Sequence, residues 1–363
     1  MSGNLFTDVH VVKERMFHRE TCTEDLDNLR RQVLSDIETG AVPERLHYLM
    51  FKMTDQCNSN CEYCAYATRY HTPRSQIPTE LVLQTIHEAA MLGVSAISIN
   101  GGEPLIRQDL CQIVSTTIEC GVVPVLMTNG LLLPQKWKEL GKAGLKYVII
   151  SFDSIHQEVY EKQRGVPFEL AMAGLDSALH MKEFFQDMEI HVSAVLTKDN
   201  VDDYVELVQY MSDRGIKIHI SPYHNYMEFA EDVSIVERLK IEELTSQLLD
   251  MKRSGVLIAS STGFIRHLPS FFCDGKKVPD SYNCKIGYTN LFVDTEGNVR
   301  PCWSDSLGVL GKLGEASLKE MWHSDKMHNF RRQMLTCQCE GCWYMCTGEV
   351  TMMLDRILDT YDD

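Results

Sequence analysis

Leu46-His-Tyr-Leu-Met-Phe-Lys-Met-Thr54-Asp-Gln-Cys57-Asn-Ser-Asn-Cys61-Glu-Tyr-Cys64 joins an apolar run to three closely spaced cysteines. Leu46–Thr54 has the length and apolar content of a buried strand. It delivers the chain into a C-x3-C-x2-C loop with no fourth cysteine nearby. Three thiolates on one short loop can hold three irons of a cubane [4Fe–4S] cluster and leave the fourth iron without a protein ligand. An open iron can bind a small chelating molecule. A structural zinc or an electron-transfer cluster normally closes its shell with a fourth ligand. Three chance cysteines, or part of a zinc site, are the alternatives that the spacing leaves open.

Outward from the loop the chain alternates. Thr79–Leu92 carries Val82, Ile86 and Ala89 on one helical face. Val94–Ile99, Val122–Met127, Lys146–Ser151, Glu189–Leu196 and Ile216–Ser221 have strand patterns. Gln108–Glu119, Pro134–Leu140, Glu169–Phe184 and a segment from Asn200 to its stop at Gly215 have helical ones. Six strand–helix repeats with short connections predict an α/β fold with a parallel sheet and right-handed crossovers. Such sheets carry their reactive loops at the C-terminal strand ends, where the cysteine loop follows the first strand. Residues 1–45 form a polar, partly helical prelude with Leu26, Leu29, Val33 and Ile37 at helical spacing. The expected divisions are 1–45, an α/β unit over 46–232, a helical linker over 233–272 containing Ile235–Lys252, and a cysteine-rich unit over 273–363.

Cys57, Cys61 and Cys64, with Tyr63 before the third cysteine, resemble the signature of the radical S-adenosylmethionine (radical SAM) enzymes. The resemblance implies a partial (βα)6 TIM-like barrel over residues 46–225. It implies that the open iron chelates the amino and carboxylate groups of S-adenosylmethionine. An electron then splits a C–S bond, giving a 5′-deoxyadenosyl radical that abstracts a substrate hydrogen. A reductant such as flavodoxin or ferredoxin follows as a partner. Asn100-Gly101-Gly102-Glu103-Pro104, after the second strand, resembles the family's GGE motif. Two glycines permit close backbone approach, and Glu103 offers a carboxylate to an ammonium group, by resemblance the methionyl amine. Thr128-Asn129-Gly130 and Ser151-Phe152-Asp153 match family habit near the cofactor. A turn and a helix N-cap are the plainer readings of those two segments. Tyr63, Gly101, Gly102, Glu103, Asn129, Ser151 and Asp153 are thus the cofactor-binding candidates.

Cysteines return as Cys273, Cys284, Cys302, Cys337, Cys339, Cys342 and Cys346. Leu291–Val293 and Val299–Arg300 flank Asp294-Thr-Glu-Gly297 as a hairpin, and Leu318–Met334 reads as a helix. The region resembles the C-terminal SPASM domain of radical SAM enzymes and its shorter form, twitch, which bind two and one auxiliary [4Fe–4S] clusters respectively. No cysteine follows Cys346, so one auxiliary cluster is expected. Its ligands are Cys284 and Cys302 with Cys339 and Cys342, and Cys346 is the leading substitute. Cys273 and Cys337 are then surplus, either a hydrogen-atom donor or a further ligand. A structural zinc is the alternative, since C-x2-C pairs suit that ion too. Cys22, Cys111 and Cys120 read as buried small hydrophobes.

A net charge of −16 with no Lys/Arg-rich stripe argues against a nucleic-acid partner. The N-terminus lacks the apolar core of a signal peptide, and no stretch approaches the ~18 apolar residues that span a bilayer. A cytoplasmic setting without a membrane partner is expected, where clustered cysteines mean metal or catalysis more often than disulfides. Ser221-Pro-Tyr223-His224-Asn-Tyr226 offers polar groups at the mouth of the sixth strand, with packing on the rim as the plainer reading. The N-terminal segment reads as too short for a separate leader-peptide-binding domain. The expected reaction is oxidation or epimerisation of a small natural-product intermediate, sugar- or aminocyclitol-like. The candidate catalytic residues are Cys273, Cys337, Tyr223 and His224. Modification of a peptide or protein, as by maturases of ribosomal peptides or sulfatases, is the second reading. A non-catalytic zinc scaffold is the reading from another class.

Overall fold

Six parallel strands, β1 (Tyr48–Lys52), β2 (Ala96–Asn100), β3 (Val123–Thr128), β4 (Tyr147–Ser151), β5 (Glu189–Leu196) and β6 (Lys217–Pro222), stand side by side in chain order. The computed structural model describes residues 23–64, 75–185, 187–224, 237–274, 283–304, 307–336 and 342–355. Cys22, Cys337, Cys339 and Tyr226 lie outside them. The helices are α1 (Thr23–Thr39), α2 (Thr79–Met91), α3 (Leu110–Glu119), α4 (Leu133–Lys142), α5 (Gln157–Arg164), α6 (Phe168–Phe184), α7 (Tyr204–Asp213) and α8 (Arg238–Arg253). After them come α9 (Thr262–Arg266), α10 (Leu268–Cys273), α11 (Leu318–Trp322), α12 (Asp325–Leu335) and α13 (Val350–Asp355). The α/β class and the partial barrel are as the sequence predicts.

Sequential strand order has a geometric consequence. Each right-handed crossover steps to the next strand in the same direction, so the intervening helices gather on one face. Leu49, Phe51, Ile97, Ile99, Leu126, Val192 and Ile220 point to that face and are wholly buried. Burying each such side chain contributes about 1.5–3 kcal/mol. The alternate residues point to the opposite, inner face. At its C-terminal end Lys52, Met127, Ser151, Ser193 and Ser221 are only half-buried. That layer is mostly polar and reaches solvent.

The sheet does not stop at β1. The hairpin of β7 (Asn290–Val293) and β8 (Asn298–Arg300) lays β7 parallel to β1, Leu49 opposite Leu291 and Phe51 opposite Val293. With β9 (Gly311–Lys312) the order becomes β6-β5-β4-β3-β2-β1-β7-β8-β9. An unpaired β1 edge would expose a row of backbone donors and acceptors, and β7, buried throughout, covers it. At the far edge, β6 is covered by a strap in which Ile218 N–H donates to the Leu257 carbonyl and Ala259 N–H to that of Ile218.

One short segment ties the two sides together. The π-helical turn Met345–Glu349 receives a hydrogen bond from Asn290 Nδ2 on β7 at the Cys346 carbonyl, 3.2 Å. Just before it, Trp343 N–H donates to His224 Nε2 beyond β6, 2.7 Å. Glu349 accepts from Ser261 N–H and hydroxyl. The second cysteine field therefore reaches from one flank of the six-stranded sheet to the other. Among the described residues no helix is long and apolar enough to cross a membrane.

Two helical expectations need correction. Leu318–Met334 is two helices, because Ser324 leaves the helical conformation and its side chain caps Met327 N–H, starting α12 afresh. Helix α5 has no counterpart in the sequence reading. Its residues QEVYEKQR are polar, and Tyr160 is its single buried aromatic, so no apolar period marks it.

Candidate active site

The loop after β1 is held from three sides. From β2, Gly102 N–H donates to the Thr54 carbonyl and Glu103 N–H to that of Gln56, both at 2.7 Å. A Cβ on Gly101 would lie 2.2 Å from the Thr54 oxygen, and one on Gly102 would lie 2.3 Å from the Gln56 oxygen. The two glycines are there because the β1 and β2 exits touch. From β3, Asn129 Nδ2 donates to Asn58 Oδ1 and Ser59 Oγ at 2.8 and 2.9 Å. From α5, the last carbonyls accept from the loop itself: Glu62 N–H to Gln163 O at 3.0 Å and Asn60 N–H to Arg164 O at 3.3 Å. These carbonyls have no partner within their own helix, and the loop supplies one.

Gly165 ends α5 at φ 62°, where an added Cβ would meet the Asn60 oxygen at 2.6 Å. Gly165→Ala is expected to destabilise the protein by about 1–3 kcal/mol and to loosen this docking. Chemical denaturation measures the first effect and iron retention under a chelator the second. An unchanged midpoint would contradict the close approach.

Within the loop, Cys61 is buried and Cys57 and Cys64 are half-buried. Cys64 N–H donates to the Cys61 carbonyl at 3.1 Å, and Ser59 N–H to Cys57 Sγ at 3.4 Å. Burial pushes the Cys61 thiol up to about 11. Arg164 opposes that shift, while Cys64, Asp153 and Cys57 add to it. Three thiols this close repel one another as thiolates, and a polycationic iron core at their centre is what would ionise them together.

Glu103 is entirely buried. Oε1 accepts from Leu105 N–H at 2.9 Å and Thr128 hydroxyl at 2.7 Å, and Oε2 accepts from Asn129 N–H at 2.8 Å. The carboxylate that the sequence offers to a ligand ammonium here clamps the β2 exit to the β3 exit. Burial raises its pKa to about 7 against the three donors, which lower it. Asn129 Oδ1 likewise accepts from Leu131 N–H. Ser151 ends β4 half-buried on the inner face.

Asp153 is buried and paired with Arg164. Oδ1 accepts from Arg164 Nη2 at 2.7 Å and Val195 N–H at 2.8 Å. Oδ2 lies 2.6 Å from Arg164 Nε and accepts from the Tyr63 hydroxyl. Arg164 Nη1 donates to Cys61 Sγ at 3.9 Å, and its guanidinium stands 5.6 Å from the Tyr63 ring centre. Arg164 is the residue that sequence reasoning missed. Its one signal was Lys162-Gln-Arg164-Gly165, basic residues before a glycine, which marks a helix end.

The second field also converges. Burial, with Cys302, Cys284 and Cys346 nearby, pushes the Cys342 thiol well up, and burial with Cys302 and Cys284 nearby pushes Cys346 up to about 12. Cys342 Sγ lies 2.9 Å from Thr347 Oγ1. Cys346, the substitute ligand of the sequence reading, thus stands beside Cys284, Cys302 and Cys342, and Cys339 lies outside the described residues. Lys52 of β1 lowers the Cys346 pKa, and its Nζ lies 3.8 Å from the Trp303 ring centre. Cys273 ends α10 among Arg238 and Glu242 instead. Cys111 and Cys120 are half-buried, less enclosed than the sequence predicts, with Cys120 Sγ 3.2 Å from His87 Nδ1. Among the described residues no three His, Cys, Asp or Glu side chains are placed for a single ion.

His224, a candidate catalytic residue by sequence, is held at both ring nitrogens. Nδ1 lies 2.7 Å from the Pro222 carbonyl and Nε2 accepts from Trp343 N–H, which fixes the Nδ1–H tautomer. Its ring stacks on Tyr344, centroids 3.7 Å apart. Tyr223 is nearly buried and packs edge-on against Tyr63, centroids 6.4 Å apart.

The model of the radical SAM superfamily matches residues 51–211, and that of an iron–sulfur cluster-binding domain, SPASM, matches residues 284–343. The chain is 30% identical over 293 residues to a GTP 3′,8-cyclase of Limosilactobacillus fermentum, covering 73% of this chain and 82% of that one. It is 24% identical over 324 residues to an AdoMet-dependent heme synthase of Methanosarcina barkeri, 83% and 90% of the two chains. Streptococcus suis SuiB bound to S-adenosylmethionine shares the fold with a TM-score of 0.66 at 18% identity, over 90% of this chain and 77% of that one. The chain belongs to the radical SAM superfamily and has a C-terminal SPASM-type domain. Its cofactors are S-adenosylmethionine, a radical-generating [4Fe–4S] cluster and an auxiliary iron–sulfur cluster.

Proposed function

We propose that this radical SAM enzyme oxidises or epimerises a small hydroxylated or aminated molecule held on the inner face of its barrel. Cys57, Cys61 and Cys64 hold the radical-generating cluster, and Cys284, Cys302, Cys342 and Cys346 hold the auxiliary one. The observation that carries the reading is the half-buried polar layer of Lys52, Ser151, Ser193 and Ser221, in a chain with thiols grouped at both the β1 exit and the segment that laces β7 to β6. When bound, S-adenosylmethionine and its cluster supply a 5′-deoxyadenosyl radical that abstracts a hydrogen atom from the substrate.

The chain's own residues do the rest. The serine hydroxyls and the Lys52 ammonium offer donors and acceptors to a polar substrate. Half-buried Tyr63 and Tyr344 and buried Tyr223 would offer apolar ring surface that helps keep water from a reactive carbon radical. Lys52, which favours negative charge at Cys346, favours arrival of an electron at the auxiliary site.

Iron and sulfide content tests the assignment. The whole protein is expected to hold about eight irons per chain, and Cys346→Ala about four. Cys273→Ala is expected to keep about eight. Loss of iron in Cys273→Ala, or none in Cys346→Ala, would overturn the ligand set.

A second reading, ring closure of a purine nucleotide, is favoured by the likeness to the Limosilactobacillus cyclase over most of that chain. Incubation with GTP, S-adenosylmethionine and reductant separates the two. A cyclised nucleotide would displace the first reading.

A further inference from the structure

We infer that Arg164, anchored on Asp153 at the end of α5, is a positioning residue that hydrogen-bonds the Cys61 sulfur and raises the reduction potential of the cluster held there. The inference rests on the ligand reading of Cys57, Cys61 and Cys64 given above. It adds a device that neither the cysteine spacing nor the glycine motif contains.

Arg164 and Asp153 are both almost fully withdrawn from solvent. Nη2 donates a hydrogen bond to Oδ1 at 2.7 Å, Nε lies 2.6 Å from Oδ2 as an ion-pair contact, and Nη1 is left directed at Cys61 Sγ. Arginine suits this task because its planar guanidinium presents donors on both edges at once. The aspartate is itself immobilised by Val195 N–H from β5 and by the hydroxyl of Tyr63, a member of the cysteine loop. The Arg164 carbonyl accepts from Asn60 N–H of the same loop. Backbone and side chain of one residue thus both grip the loop, and neither moves independently.

Hydrogen bonds to cluster sulfurs, local net charge and solvent exposure set iron–sulfur potentials. A buried cation at the Cys61 sulfur stabilises the more negative, reduced cluster. Asp153, one step further from the sulfur, offsets part of that charge. Removing either partner therefore pushes the potential in opposite directions, an outcome that loss of structure alone would not give.

The test is a reductive titration with dithionite, followed by electron paramagnetic resonance, on reconstituted protein without S-adenosylmethionine. The Cys57→Ala/Cys61→Ala/Cys64→Ala variant identifies which signal belongs to the barrel site. Arg164→Met is expected to make reduction of that site about tenfold less favourable, roughly 59 mV for one electron. Asp153→Asn is expected to make it more favourable by a similar factor. If Arg164→Met takes up no iron at this site, Asp153→Asn alone decides, and an unmoved or lowered potential overturns the inference. Shifts of the same sign in both variants overturn it as well. Should the triple cysteine variant keep both signals, the ligand reading fails instead, which is a distinct result.

Discussion

Cys61→Ala is expected to form no 5′-deoxyadenosine from S-adenosylmethionine and reductant, and to lose about four irons per chain. The loop has two half-buried thiols and one buried thiol, and the buried one is the anchor. Without it, two thiolates remain, too few to hold a cubane with a single open corner. The fold is expected to survive. Cys61 is small, and the loop backbone remains tied by Gly102, Glu103, Glu62 and Asn60. Circular dichroism checks the fold, and chromatography of the nucleoside product checks the activity. Product formation in the variant would contradict the site. Zinc in place of iron and sulfide in the parent protein would contradict the chemistry altogether.

The stability difference between Glu103→Gln and the parent protein is expected to change with pH, in favour of the variant as pH rises. Glu103 titrates near 7 in the folded chain against about 4.5 when exposed, with burial as the cause. A carboxyl whose folded pKa is raised contributes stability that is complete below its unfolded pKa. That contribution is lost as pH rises through the folded pKa. The whole effect amounts to roughly 3 kcal/mol, of which about 2 falls between pH ~5.5 and ~8. Glutamine has no proton to lose, so the variant lacks this slope, although its amide forfeits the bond from Asn129 N–H. Urea midpoints of both proteins across that range measure it. Parallel pH profiles would show that the three donors already hold Glu103 ionised.

Much of this architecture was legible in the chain. The strand–helix alternation predicts a parallel sheet, because six apolar runs separated by short connections have few other ways to be buried. The spacing Cys57-x3-Cys61-x2-Cys64 and the adjoining Gly101-Gly102 were visible because thiol ligation and close backbone contact restrict residue type locally. Helix α5 was not visible: Gln157, Glu158 and Lys162 face solvent, and a helix that meets the cysteine loop through its terminal carbonyls and Arg164 needs no apolar stripe.

The roles of single side chains were the least legible. Glu103, Asn129, Asp153 and His224 were all candidates for touching ligand or substrate, and each is held by the protein's own donors and acceptors. Which partner a polar side chain finds depends on segments tens of residues away, which no local pattern records. The same holds for β7, whose place beside β1 depends on an edge left open some 240 residues earlier. The amino-acid order by itself determined that three thiols sit at the end of a buried strand and that more lie downstream. Only the tertiary structure decided that Cys284 and Cys302 lie near Cys342 and Cys346, and that Arg164 reaches Cys61. Ligand type is a property of a short segment, whereas convergence is a property of how distant segments pack.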